Sequence, residues 1–170
     1  MIIASWIDGV PVVAHTGTAL AYTAENSAFT IAVDGSQFLL SCLTEIVDAE
    51  FVEDLIQCTN PASKISEIIL DLEETYGFKF TDSAPKLPGT LLLANHSGIL
   101  VITSDLSFRK ILSDEVECAV SGNQLESAYA SGFMSGCPDI SVEAMKKAIK
   151  ISCSYTGTAY VEPTIVYHEK

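Results

Sequence analysis

The chain has no lysine or arginine before Lys64. Its nine basic residues all follow that point and face 22 acidic ones, for a net charge of −13. Binding a phosphate backbone needs a basic footprint. Nucleic acid is therefore not an expected partner, and neither is an anionic membrane. The charge reads first as a solubilising surface. Charged residues of both signs make up only 18% of the chain, against 48% hydrophobic, which excludes a disordered polypeptide and predicts a globular one. No apolar run reaches the roughly 18–20 residues that span a bilayer. The start lacks a basic segment, and Asp8 interrupts its apolar run, so no secretory signal is expected and a cytoplasmic location is. No CxxC pair exists. Cys42, Cys58, Cys118, Cys137 and Cys153 stand apart, several inside apolar runs, and read as free, buried, reduced thiols. His15, His96 and His168 are far apart in sequence. No metal site and no cofactor is expected from such a set.

At 170 residues the chain can bury a substantial core as one domain over 1–170. Residues 2–7 and 10–15 are short apolar runs around Asp8-Gly9, a strong hairpin signal. A polar loop is expected through Asn26-Ser27. Phe29–Val33 and Phe38–Leu43 then flank Asp34-Gly35-Ser36 and predict a second hairpin. From Thr44, read as an N-cap, to about Cys58, the spacing of Val47, Phe51 and Leu55 predicts a helix. Asn60-Pro61 opens another, with Ile65, Ile68, Ile69, Leu72 and Tyr76 on one face and Gly77 at its end. Strands return at Thr90–Ala94, Ile99–Thr103, 107–112 and Val116–Val120. A helix with Leu125, Ala128, Tyr129 and Phe133 on one face follows. A last helix, capped by Ser141, turns Val142, Met145 and Ile149 inward, and Thr164–His168 is a closing strand. Runs of strands alternating with runs of helices predict a layered α+β fold. Two packed sheets with helices on both outer faces, a four-layer α-β-β-α sandwich, bury every apolar stripe.

These segments also resemble the proteasome β-type and HslV-like family. Leu100-Val101-Ile102-Thr103, Ala119-Val120-Ser121-Gly122, Ser141-Val142-Glu143 and Ser154-Tyr155-Thr156-Gly157 look like its successive C-terminal motifs. Ile3-Ala4-Ser5, Gly9 and Val12-Val13-Ala14 are similar to its first hairpin. The resemblance implies an N-terminal nucleophile hydrolase sandwich, assembly into hexameric or heptameric rings, and an ATPase partner or a neighbouring active subunit. It also implies threonine-type endopeptidase chemistry, in which an N-terminal threonine supplies both nucleophile and amine base.

The residues for that chemistry are missing. The chain begins Met1-Ile2-Ile3, and Ile2 is bulky enough to predict that Met1 is retained. The family's first aspartate falls at Thr16, its lysine near Ala28 and a further aspartate at about Ile151. Ser121-Gly122 remains, so Thr16, Ser121 and Gly122 read as a vestigial pocket. Ser5 and Ser121 are expected to be structural. One rescue is a cut at Gly17-Thr18, which would expose Thr18 with Asp34 at the aspartate spacing, but it still supplies no lysine. The expected function is a self-assembling or scaffold subunit without peptidase activity. The alternatives are an active threonine peptidase exposed at Thr18, and a peptide-binding module that keeps the pocket.

Overall fold

Asp8 and Gly9 both take left-handed backbone, with φ of 50° and 77°. That is what a two-residue type I′ hairpin loop requires. Strand β1 (Ile2–Ile7) therefore folds straight back on β2 (Val10–His15), pairing Ile7 with Val10 and Ile2 with His15. The computed structural model describes residues 1–16, 21–34, 36–79, 87, 89–113, 118–121 and 124–170. The remaining strands are β3 (Ala21–Thr23), β4 (Thr30–Val33), β5 (Leu91–Asn95), β6 (Gly98–Ile102), β7 (Phe108–Ile111), β8 (Cys118–Ser121) and β9 (Thr164–Tyr167). The helices are α1 (Gln37–Ile46), α2 (Ala49–Gln57), α3 (Ala62–Tyr76), α4 (Gln124–Ser135) and α5 (Val142–Thr156). One sheet has the order β8-β1-β2-β9 and the other β3-β4-β5-β6-β7. All of their pairings are antiparallel.

Strand alternation sorts the side chains into three cores. Ile31 and Val33 of β4, Leu91 and Leu93 of β5, and Leu100 and Ile102 of β6 face α1, α2 and α3. Their neighbours Ala32, Leu92, Ala94 and Ile99 face the other sheet, where they meet Ile2, Ala4 and Val13. Ile3, Val12 and Ala14 point the opposite way, onto Ala130, Met134, Met145, Ala148 and Ile149 of α4 and α5. Period-two alternation with both faces buried is what two stacked sheets covered by helices demand. The expected four-layer α-β-β-α sandwich is the observed architecture.

The second hairpin lies one step earlier than expected. Asn26 and Ser27, with φ of 57° and 54°, turn the chain between β3 and β4, so the segment through Asn26-Ser27 holds a strand as well as a loop. Phe38–Leu43 is helical. Ser36 accepts a hydrogen bond from the Leu39 amide at 3.1 Å and starts α1, whose Leu39, Leu40 and Leu43 lie on one buried face. Thr44 sits inside α1, donating to the Ser41 carbonyl. The cap is Asp48, which accepts from the Phe51 amide at 2.8 Å and begins α2. Among the described residues, three helices thus stand between β4 and β5 instead of the two expected. In α4 the predicted inward face is also rotated. Leu125, Ala128 and Tyr129 are exposed, and Ala130 and Met134 are buried instead. Tyr129 stacks on Tyr155 of α5, centroids 4.9 Å apart, at the surface.

Two close contacts stand at strand ends, one within a sheet and one between the sheets. Gly89 lets the chain pass the Asp34 carbonyl, since a Cβ there would stand 2.3 Å from that oxygen. Past the end of β9, His168 is 1% exposed and bridges the sheets. Its backbone amide donates to the Pro11 carbonyl at 2.9 Å. Nδ1 lies 2.9 Å from the Ser27 carbonyl and Nε2 lies 2.9 Å from Thr30 Oγ1. A carbonyl can only accept, so Nδ1 carries the hydrogen and the neutral ring accepts from Thr30 at Nε2. Burial holds this ring's pKa below its ordinary value. Cys42 is buried, and Cys58, Cys137 and Cys153 are half-buried; all four are free thiols. The side chain of Cys118 lies outside the described residues.

Candidate functional site

The head of β1 opens on a pocket of 270 Å³ lined by Met1, Thr16, Glu126, Ile149, Cys153, Thr158, Ala159 and Val161. The hairpin register places Thr16 beside Met1, one step beyond the Ile2–His15 pair. The Thr16 amide donates to the Met1 carbonyl at 3.1 Å, and the Met1 amine donates to Thr16 Oγ1 at 2.8 Å. Met1 is thus tied through both its carbonyl and its amine to Thr16, the residue just past β2. Burial lowers its pKa, while the charges of Glu126, Cys153 and Asp34 act in the opposite direction. Asp34 is pushed up by burial, and the amine opposes that shift. Cys153 is likewise pushed up, first by burial and then by Glu126. It is therefore a thiol and not a reactive thiolate.

Helices α4 and α5 fix the far wall. Ser152 is buried and donates to the Glu126 carbonyl at 3.0 Å, and Thr158 Oγ1 donates to Glu126 Oε1 at 3.1 Å. Ser121, in β8, is the register partner of Ile2, so its backbone lies at the same end of the sheet as Met1 and Thr16. Asp34 follows β4 and reaches the site electrostatically. Thr18 and Gly122 lie outside the described residues. Ala28 is exposed beside the turn before β4, and neither it nor Ile151 lines the pocket. Ser5 is buried within β1.

Glu126 and Cys153 escaped the sequence reading. Cys153 was accessible to it: Met145, Ile149 and Cys153 continue one i, i+4, i+8 stripe. Glu126 was hidden, because the inward face of α4 differs from the one its apolar spacing suggests.

An amine next to a hydroxyl is the arrangement of amine-activated acyl transfer, with the amine as base. Here the two groups come from different residues, and the amine serves as donor to the hydroxyl oxygen. The Met1 side chain adds no hydroxyl. Among the described residues no lysine lines the pocket, and no group of three or more His, Cys, Asp or Glu side chains could hold a metal.

The four-layer sandwich is the fold shared with solved structures that include an HslV. Solved structures carry the likeness over nearly the whole chain. Thiobacillus denitrificans BPH in complex with epoxomicin superimposes with a TM-score of 0.66 at 15% identity, over 99% of this chain and 97% of that one. Eukaryotic HslV from Trypanosoma brucei gives 0.61 at 14% identity, over 99% of each chain. No family model matches the sequence, and no curated protein matches it. At these identities the likeness establishes the fold. Among the described residues no helix is long and apolar enough to cross a membrane.

Proposed function

We propose that this chain is a single-domain proteasome-type subunit that has lost threonine-peptidase activity and serves as a self-assembling or scaffold subunit in the cytoplasm. The head of β1 carries the reading. The residue there is Met1, whose side chain offers no nucleophile, and its carbonyl is tied to the Thr16 amide. Acidic groups flank it where the mechanism calls for a lysine, and the first basic residue in the sequence is Lys64. The sandwich favours association into a closed ring of copies, alone or beside an active subunit or an ATPase. Fold and chemistry separate readily, because the chemistry rests on a few side chains.

The competing reading, a peptidase released by cutting before Thr18, removes β1 and β2. These are the two central strands of their sheet, and Ile3, Val12, Val13 and Ala14, all at most 1% exposed, leave with them. No nucleophile compensates for such a loss of core. The test is hydrolysis of an unfolded protein and of short fluorogenic peptides by the purified chain. The expected result is no cleavage above the rate of a Thr16→Val control. Cleavage accompanied by loss of residues 1–17, and abolished by Thr18→Ala, would overturn the proposal.

A further inference from the structure

We propose that a second pocket, at the other end of β1, binds a carboxylate on a short apolar body, held by Lys110 against Trp6. This site is independent of the assembly role. Trp6 lies five positions along an extended strand from Met1, a span of about 16 Å. The pocket has a volume of 240 Å³, and its walls are mostly apolar, with Trp6, Ile56, Ile99, Ile111 and Leu112 among them. Its polar groups are Ser97, Lys110 and Ser113.

Three features make it a built site. First, the walls are fixed. Trp6 Nε1 donates to the Ile111 carbonyl at 2.8 Å, which sets the plane of the indole. Ser97 donates to Glu53 Oε1 at 2.7 Å, and Asn95 donates to the other oxygen of that carboxylate, so α2 locks the β5–β6 turn. Second, Gly98 keeps the floor open. A Cβ there would stand 3.2 Å from Ile56 Cγ2 and 3.8 Å from Trp6 Cζ2. Third, the cation is placed against a neutral oxygen. Lys110 Nζ donates to the Cys58 carbonyl at 2.5 Å. Lys64 and Lys146, by contrast, sit on the carboxylates of Asp54 and Glu162 at 3.7 and 2.9 Å. An ammonium has three donors, and among the described residues Lys110 spends one of them.

The ligand follows from this chemistry. A single cation among apolar walls selects a monoanion with a hydrophobic body. Ligand pockets usually run from roughly 300 to 1,000 Å³, so a smaller cavity takes a short chain or one ring. A free small acid and the apolar C-terminal residue of a polypeptide share that chemistry.

Trp6 is the chain's only tryptophan, so its fluorescence reads this pocket directly. The experiment titrates the intact chain with hexanoate, with hexanol, and with a short peptide ending in leucine as free acid or amide. The expected result is a saturable change with hexanoate and none with hexanol. A response to the peptide acid but not its amide, at lower concentration than hexanoate, assigns the site to a polypeptide terminus. The reverse order assigns it to a free acid. Lys110→Gln keeps a donor for the Cys58 carbonyl and should weaken binding at least about tenfold, the scale of a hydrogen bond to a charged group. Lys110→Arg should retain binding. Gly98→Ala should block it with Lys110 intact, which covers the case of a Lys110 variant that fails to fold. Equal curves for hexanoate and hexanol, unchanged binding in Lys110→Gln, or no saturable response to either carboxylate would each overturn the proposal.

Discussion

At the Met1 end of β1, one cation is surrounded by groups that can carry negative charge; at the Trp6 end, a lysine is set against a carbonyl. The Met1 amine has Thr16 within hydrogen-bond reach and Glu126, Cys153 and Asp34 close enough to act on its charge. Burial outweighs those neighbours and lowers the amine's pKa, and the hydroxyl beside it belongs to another residue. Lys110 instead donates to the Cys58 carbonyl, a neutral oxygen, in a chain with net charge −13. The two ends belong to one strand: the proposed loss of chemistry lies at one, and at the other, among the described residues, a cation is set against a neutral oxygen. What the fold preserves at the Met1 end is geometry, since β-pairing alone places Thr16 next to Met1. The side chains that chemistry needs are a separate matter, and in the proposed reading they have been lost.

Breaking the Met1 end should have the largest effect. A chain begun at Thr18 loses both central strands of the β8-β1-β2-β9 sheet and one side of two of the three cores. It should show no cooperative thermal or urea transition by circular dichroism. A cooperative melt from that chain would mean that β1 and β2 are dispensable, as the Thr18 reading requires.

A smaller effect sharpens the other end. His168 hangs from Pro11, the register partner of Trp6, and ties that hairpin tip to Ser27 and Thr30 of the second sheet. Burial holds its pKa below the usual 6.5. The unfolded chain then binds a proton that the folded chain releases, so stability rises with pH across that window. The contribution is fully present above about pH 6.5 and is lost as pH falls towards the folded-state value. Urea denaturation followed from pH 7.5 downward should show this loss, and His168→Asn should flatten it. The variant should also cost roughly 1–3 kcal/mol at neutral pH, the scale of leaving buried partners unmatched. An unchanged pH profile in the variant would remove His168 from the account.

Much of this was legible in the residues. Asp8-Gly9 announced the first hairpin, because few other pairs accept two left-handed residues in a row. The stripe Ile65, Ile68, Ile69 and Leu72 announced α3, and the φ of 71° at Gly77 ends it as the glycine suggested. Ser141 accepts from the Ala144 amide at 3.1 Å and caps α5 as expected. Phe38–Leu43 misled because a short apolar run fits a strand or a buried helix equally well; Ser36, a cap, decided it. Asp34-Gly35 suggested a turn, but the turn into the β3–β4 hairpin comes from Asn26 and Ser27, which no dipeptide rule marks. At the site, Thr16 was legible from the hairpin register. Glu126 was not, since α4 turns Ala130 and Met134 inward and leaves Leu125, Ala128 and Tyr129, the face its apolar spacing suggests, exposed. The Lys110 pocket was invisible in sequence, because its walls come from strands and a helix far apart in the chain.

The most direct measurement is native mass spectrometry of the purified chain, which reads the mass of the polypeptide and of its assembly together. The account predicts a full-length chain that begins at Met1 and is held in a closed ring of copies. A chain shortened by residues 1–17 would contradict the loss of peptidase chemistry. A full-length chain that stays monomeric at working concentration would contradict the scaffold role.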